Sequence, residues 1–217
     1  MEVVSVCNLK GGTGKSTVTM LLASAFGADG KKVLVIDTDG QRTIEALFDL
    51  EAGPDKKALF DLEAISPKFV VDVLRLKADK YDLIFIDVPR STESKTDSAV
   101  SQIVAMCDTL LIPVLPSRLD VLSTMDFLAM LKEIAEFKEK NGLPFKYKAF
   151  LNKVKNRNEN EFSKTVLEQQ GLELMDALLA DVKLFLYPSP YESILNSKDG
   201  RERFGQFFNE AKKLIYG

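Results

Sequence analysis

Residues 10–17 read Lys-Gly-Gly-Thr-Gly-Lys-Ser-Thr, and this stretch decides the fold because of what flanks it. The preceding run, residues 3–7, is apolar and largely β-branched, which predicts a buried strand. Residues 18–26 are apolar and long enough for a helix. A glycine-rich loop between strand and helix turns backbone N–H groups onto an anion, and the helix N-terminus adds its positive dipole. The sequence therefore predicts a phosphate-binding P-loop formed by Lys10, Gly11, Gly12, Thr13, Gly14, Lys15, Ser16 and Thr17.

Two lysines frame this loop. Lys15 is predicted to reach the outer phosphates of a nucleotide, and the Ser16 hydroxyl to bind Mg²⁺. Lys10 cannot easily fold onto phosphates that Lys15 already holds, so we expect it to reach a nucleotide bound by a second subunit. The stretch closely resembles the deviant Walker A box of the ParA/MinD family of ATPases, in which this first lysine is the signature residue. The resemblance implies ATP as ligand, catalytic roles for Lys10 and Lys15, and a homodimer in the ATP state.

A second stretch supports the resemblance. Residues 32–36 are mostly apolar and lead into Asp37, with Asp39 two positions further on. Alternation along an extended chain places successive side chains on opposite sides, so that one carboxylate can face Mg²⁺. The segment resembles the family's second-strand box, usually Asp-x-Asp-Pro-Gln, which implies that Asp37 supports the metal and Asp39 positions the attacking water. Gly40 replaces the usual proline, and we expect a looser backbone at this switch.

A third stretch, residues 81–87, is another apolar strand, and it delivers Asp87 at its carboxyl end. Ligands of open α/β sheets collect at that end. The segment resembles a Walker B strand, which implies that Asp87 holds Mg²⁺ or its water shell opposite Ser16. The family usually continues Asp-Thr-Pro and small residues, whereas this chain has Val88 and then a polar stretch to residue 95. We interpret the stretch around Arg90 as a second switch loop, ordered by the γ-phosphate.

Composition is typical of a compact intracellular enzyme. The 217 residues are 46% hydrophobic, yet no apolar run approaches the roughly 18 residues needed to span a bilayer. Cys7 and Cys107 are too isolated for a disulfide framework or a metal pair, so we expect both in the core. The chain enters a strand at once, which favours a cytoplasmic location without a signal peptide. Histidine is absent, which leaves carboxylates, lysines and water for catalysis and suits phosphoryl transfer.

The rest of the chain continues to alternate strands and helices. Residues 109–114 and 146–151 are predicted strands, residues 120–140 an amphipathic helix packed on the sheet, and residues 202–216 a final helix. This order predicts a doubly wound, mostly parallel sheet with helices on both faces, the α/β fold of P-loop NTPases. We expect one such domain over residues 1–217.

An amide follows the strand of residues 146–151. Asn152 offers a donor and acceptors that suit the edge of a purine, although asparagine at a strand end is also ordinary turn chemistry. The ParA/MinD family carries a similar asparagine there, which implies contact with adenine. Residues 187–191, Tyr-Pro-Ser-Pro-Tyr, form a rigid loop that either walls the base or is a structural turn.

Family members differ in what they attach to, and the sequence leaves three alternatives. The first is a nucleoid-associated ATPase that binds DNA non-specifically as an ATP dimer, positions a plasmid or other large cargo, and hydrolyses ATP slowly until a ParB-like adaptor stimulates it. Such a protein needs a basic surface, and despite a net charge of −3 there are local clusters. They comprise Lys153, Lys155 and Arg157; Lys198, Arg201 and Arg203; and Lys212 and Lys213.

The second alternative is MinD-like attachment to a membrane through the C-terminal helix. Its apolar positions lie on one stripe beside two lysines, but packing against the sheet explains the same pattern. The third is a metabolic or metal-trafficking relative; cluster carriers would need paired cysteines that the chain lacks, whereas a thiol-free ligase stays open. The first alternative fits the residues best.

Overall fold

A single parallel sheet carries the fold. The computed structural model describes the backbone of residues 1–89, 94–155 and 157–217, and their side chains apart from those of 94–98, 126 and 157–159. The six strands of the sheet are β1 (Glu2–Val6), β2 (Val33–Asp37), β3 (Asp61–Ala64), β4 (Leu83–Asp87), β5 (Thr109–Val114) and β6 (Lys146–Leu151). They lie in the order β3-β2-β4-β1-β5-β6, and every pairing is parallel.

Helices cover both faces of this sheet, as predicted. In the described part of the chain they are α1 (Lys15–Ala28), α2 (Thr43–Glu51), α3 (Val70–Lys77), α4 (Ser94–Met106), α5 (Arg118–Lys140), α6 (Arg157–Gln169) and α7 (Lys198–Tyr216). The period-2 alternation of the strands divides the core. Val4 and Val6 pack on the α1 and α7 side, whereas Val3 and Cys7 pack on the α4 and α5 side.

Two helix ends differ from expectation. The helix predicted over residues 18–26 extends at its carboxyl end through Gly27 to Ala28. A Cβ at Gly27 would lie 1.9 Å from the Leu59 carbonyl oxygen, so this glycine permits close approach of the segment that leads into β3. Gly30, with φ +86°, follows the helix end. The final helix begins at Lys198 rather than residue 202, because the Ser197 hydroxyl accepts a hydrogen bond from the Gly200 N–H.

The long helix α5 packs less completely than its periodicity predicted. Leu128, Leu131 and Ile134 are buried against the sheet, but Leu122 and Phe137 are 62% and 59% exposed. The two cysteines are buried and free, as expected. Within the described residues, no helix is both long and apolar enough to cross a bilayer.

Candidate functional site: a P-loop and its acidic partners

The predicted P-loop lies between β1 and α1, at the carboxyl edge of the sheet. Gly14 precedes α1 with φ 92°, a left-handed conformation that suits glycine, and no side chain caps the helix. The N–H groups of the first turn are therefore left for an anion. A Cβ at Gly14 would also lie 2.5 Å from the Asn152 amide nitrogen, which makes this glycine a packing requirement.

The loop opens onto a cavity of about 210 Å³. Its lining combines backbone from the loop, two ammonium groups and a carboxylate, the chemistry that a polyphosphate with a cation requires. The lining residues are Gly12, Gly14, Lys15, Ser16, Thr17, Asp39, Thr43, Val88 and Lys153. Of these, Lys153 was not predicted as a site residue. Its ammonium donates to the Gly12 carbonyl oxygen at 2.9 Å, and the sequence signal for it is its position directly after Asn152.

The two lysines of the P-loop, Lys10 and Lys15, point to different places. Lys15 is buried, and its ammonium donates to the Lys10 carbonyl oxygen at 3.2 Å. Lys10 is not among the residues that line the cavity. Its ammonium instead forms an ion pair with Asp120, in the first turn of α5. Of these two lysines, therefore, Lys15 is the one directed toward the phosphate cradle of its own chain.

The predicted metal residues converge beneath the loop. The Ser16 hydroxyl donates to Asp87 Oδ2 at 2.7 Å, and the Cα atoms of Asp37 and Asp87 are register partners on β2 and β4. Asp37 Oδ1 accepts the Asp39 N–H at 3.0 Å. Within the described residues, the remaining oxygens, Asp37 Oδ2 and Asp87 Oδ1, are buried without a hydrogen-bond partner.

These carboxylates are electrostatically costly without a cation. Burial, followed by repulsion from Asp37, raises the pKa of Asp87 to about 7, although the hydrogen bond from Ser16 and the charge of Lys15 oppose the increase. Burial also raises the pKa of Asp37. Hard oxygen donors from two carboxylates and a hydroxyl suit Mg²⁺, which usually takes one or two protein carboxylates together with phosphate oxygens. The residues present therefore fit the metal that the sequence implies.

Asp39 lies at the rim of the cavity, in the predicted switch. Its carboxylate accepts the Gln41 N–H at 3.0 Å and its carbonyl oxygen accepts the Arg42 N–H at 2.9 Å. The turn places Arg42 at φ 48°, a left-handed conformation that a non-glycine residue rarely adopts. The strained backbone is therefore at Arg42. This residue lies two positions after Gly40, which stands where the family usually has proline. Arg90, in the second predicted switch, lies outside the described residues.

Asn152 is placed beside the loop and braces it. Its amide donates to the Thr13 carbonyl oxygen at 2.7 Å, and its oxygen accepts the Lys153 N–H at 2.9 Å. It also borders a smaller cavity of about 80 Å³ on the far side of Gly14, with a mainly apolar lining. The other lining residues are Thr17, Val18, Leu21, Lys153, Leu179, Ala180, Asp181, Val182, Phe185 and Leu186. Residues 179–186 were not predicted as part of the site, because their apolar residues show neither clear helical nor strand periodicity.

The aromatic loop of residues 187–191 is not among the residues that line either cavity beside the P-loop. It packs on α2 instead, where the Tyr191 hydroxyl donates to the Phe48 carbonyl oxygen at 3.1 Å. Tyr187 is 80% exposed. The contacts of this loop in the described structure are those of a structural turn.

Most members of the predicted basic clusters have partners. Lys155, Lys198 and Lys212 form ion pairs with acidic side chains, and so does Arg203, while Arg201 donates to two carbonyl oxygens. The acidic partners cancel much of the local charge that the sequence suggested. The Arg157 side chain lies outside the described residues.

Comparison with known proteins places the chain. Residues 4–193 match the model of the CobQ/CobB/MinD/ParA nucleotide-binding domain. The chain belongs to this family. The predicted nucleotide-binding domain, of the type found in the ParA/MinD ATPases, is confirmed at the level of the family.

Two individual relatives share less than a third of their aligned residues with this chain. The chain is 27% identical over 198 residues to a putative replication protein A of Rhizobium rhizogenes, covering 68% of this chain and 48% of that protein. It is 28% identical over 177 residues to the maintenance of carboxysome distribution protein A of Halothiobacillus neapolitanus, covering 79% and 76%. The chain thus spans about half the length of the first relative. A solved structure of Cyanothece McdA in complex with ATP superposes with a TM-score of 0.73 at 16% identity over 99% of this chain and 97% of that one, which supports the fold.

Proposed function

We propose that this protein, as one domain over residues 1–217, is an ATP- and Mg²⁺-dependent dimeric switch. In its ATP state it binds DNA without sequence preference and positions a plasmid or other large cargo, and an adaptor protein of ParB type stimulates its slow hydrolysis. Its place is the cytoplasm, associated with the nucleoid. The observation that carries the nucleotide part is the pair of buried, unpartnered carboxylate oxygens in the described structure, directly beneath an uncapped P-loop helix.

Each residue has a distinct task in this proposal. The N–H groups of residues 11–17 and the Lys15 ammonium hold the phosphates. Bound Mg²⁺ would offset charge on the outer phosphates, held from the protein side by Ser16, Asp87 and Asp37. Asp39, at the cavity rim, would orient the attacking water. Asn152 would keep the loop in position beside the base, and the apolar cavity of about 80 Å³ supports a place for that base.

Support for dimerisation comes from Lys10. Its side chain is 36% exposed and is paired with the largely buried carboxylate of Asp120 rather than lining its own cavity. Release from Asp120 would free a cation at the mouth of the site. In a dimer with facing P-loops, that ammonium would reach the partner's phosphates and neutralise the charge that builds up in transfer.

DNA is favoured over a membrane by the packing of α7. Five residues of its apolar stripe are buried in the core, and Leu214 is partly buried against it. The five are Phe204, Phe207, Phe208, Ala211 and Ile215. A helix that attaches to a membrane must present that face to lipid. If α7 presented this face to lipid, the protein would lose part of its hydrophobic core. The packing of α7 therefore gives no support to the MinD-like alternative.

The test is to measure binding to a random-sequence DNA duplex and to anionic lipid vesicles with ATP, with ADP and without nucleotide, over a range of salt. We expect DNA binding with ATP only, steeply weakened by salt. Lys15→Ala is the control, because it should not bind nucleotide and so should not bind DNA. ATP-dependent binding to vesicles without binding to DNA would overturn the proposal in favour of a membrane role.

A further inference from the structure

A second cleft lies at the opposite end of the strands from the P-loop. It has a volume of about 620 Å³ and lies where β2 and β3 begin and where the chain approaches β4. Four lysines from three connecting segments line it together with one acidic residue, Asp61. The lysines are Lys31, Lys32, Lys57 and Lys80.

Among the described residues the lysines of this cleft have no acidic partners, unlike Lys155, Lys198 and Lys212 of the sequence clusters. Within the described residues, the ammonium groups of Lys32, Lys57 and Lys80 make no ion pair or hydrogen bond, and all three residues are exposed. Lys31 lies 5.1 Å from the centre of the Tyr216 ring, a contact that leaves its charge uncompensated.

Two acidic groups nearby accept hydrogen bonds from neutral donors and keep their negative charge. Asp61 accepts a hydrogen bond from the Tyr81 hydroxyl at 2.7 Å, and Asp82 accepts the Lys32 N–H at 2.8 Å. An anion entering the cleft would meet four ammonium groups and two carboxylates, Asp61 in the lining and Asp82 beside it. In a protein with a net charge of −3, such a concentration of unpaired positive charge is a local exception.

We propose that this lysine cleft holds the phosphate backbone of DNA. The inference rests on the proposed function and assigns its DNA-binding surface. Because the cleft lies at the amino edge of the sheet, a dimer joined through the P-loops at the carboxyl edge leaves both copies open. The two clefts then face opposite ends of the dimer, so one dimer can contact two separate DNA segments and is held on a dense DNA array with an avidity that the monomer lacks.

The lining of the cleft favours nucleic acid over a lipid surface. Its larger apolar side chains, Val33, Leu59 and Phe60, are buried or half-buried, so they form a floor rather than a face that could insert among acyl chains. Flexible ammonium groups above such a floor suit phosphate contacts without base readout.

The test compares two triple variants that lose the same charge. One carries Lys32→Gln, Lys57→Gln and Lys80→Gln. The matched control carries Lys155→Gln, Lys198→Gln and Lys212→Gln, all of which have acidic partners. Binding to a random-sequence duplex is measured with ATP over a salt series, and ATP binding and dimer formation are checked for each variant.

We expect the cleft variant to lose about eightfold in affinity for DNA at 0.1 M salt for each phosphate contact removed. The slope of log affinity against log salt concentration should also become shallower by about 0.9 per contact. The control should bind like the parent. If the parent binds DNA and the cleft variant binds equally well, the assignment of the surface is wrong although the proposed function stands. A parent that fails to bind DNA overturns both, and a cleft variant that loses binding to anionic vesicles instead of DNA overturns the choice of ligand.

Discussion

Replacing Asp87 by asparagine should stabilise the nucleotide-free protein while it disables the site. Asp87 is 1% exposed, shares its surroundings with Asp37, and has one oxygen without a partner in the described structure. Asparagine has nearly the same shape and keeps an oxygen for the Ser16 hydroxyl. The substitution therefore removes the buried negative charge without leaving a cavity.

The size of the effect follows from the pKa of Asp87, which folding raises from 3.8 to about 7. Each pH unit of that difference corresponds to about 1.36 kcal/mol. As the pH rises through this interval, the unfolded state ionises while the folded state resists ionisation, so the free energy of unfolding falls by about 4 kcal/mol and then levels off. In Asp87→Asn that fall should be absent.

The assay is urea unfolding with a chelator present, at pH 5 and pH 8. The stability advantage of Asp87→Asn over the parent should grow by about 2–3 kcal/mol between these conditions. Asp55→Asn, at an exposed position, controls for the loss of one negative charge. A variant that is less stable than the parent at pH 8, or an advantage that does not change with pH, would refute the reasoning. The same variant should lose Mg²⁺-dependent nucleotide affinity, measured by calorimetric titration.

Three further substitutions test other parts of the structure. Gly14→Ala should cost about 1–3 kcal/mol of unfolding free energy and weaken ATP binding, because alanine is strained at φ +92° and meets the Asn152 amide; unchanged urea unfolding and ATP titration would contradict this. Phe207→Ala should cost about 3–5 kcal/mol, since the ring is fully buried, whereas the exposed Phe137→Ala should cost far less; equal losses in thermal unfolding would argue against the core position of α7. Asp39→Ala should retain ATP binding but lose hydrolysis by roughly 100-fold in a phosphate-release assay, and turnover at the parent's rate would remove Asp39 from the water-positioning role.

The central strands could be predicted because each is a continuous apolar run. β1, β2, β4 and β5 are buried on both faces, so composition alone distinguishes them from loops. β3 was missed since Asp61–Ala64 is short and polar, and backbone pairing at the sheet edge defines it. Such a strand has no hydrophobic periodicity from which it could be predicted.

The parts of the candidate site that are contiguous in the sequence could be predicted. Contacts between residues that are far apart in the sequence could not. The P-loop stretch is contiguous, but the partner of Lys10 is Asp120, which lies far along the chain. The basic clusters show the same limit, because partners such as Asp29 for Lys212 come from a distant helix end. The lysine clusters in the sequence therefore predicted positive charge that acidic partners largely neutralise in the folded protein.

The most direct test is to measure whether the Asp39→Ala variant is a monomer or a dimer. Sedimentation velocity in the presence of Mg²⁺ and either ATP or ADP gives this. We predict a dimer with ATP and a monomer with ADP. Adding Lys10→Ala should restore the monomer with ATP while the nucleotide remains bound. A monomer at saturating ATP, or a dimer that persists without the Lys10 side chain, would contradict the claim that Lys10 joins two subunits across a shared nucleotide site.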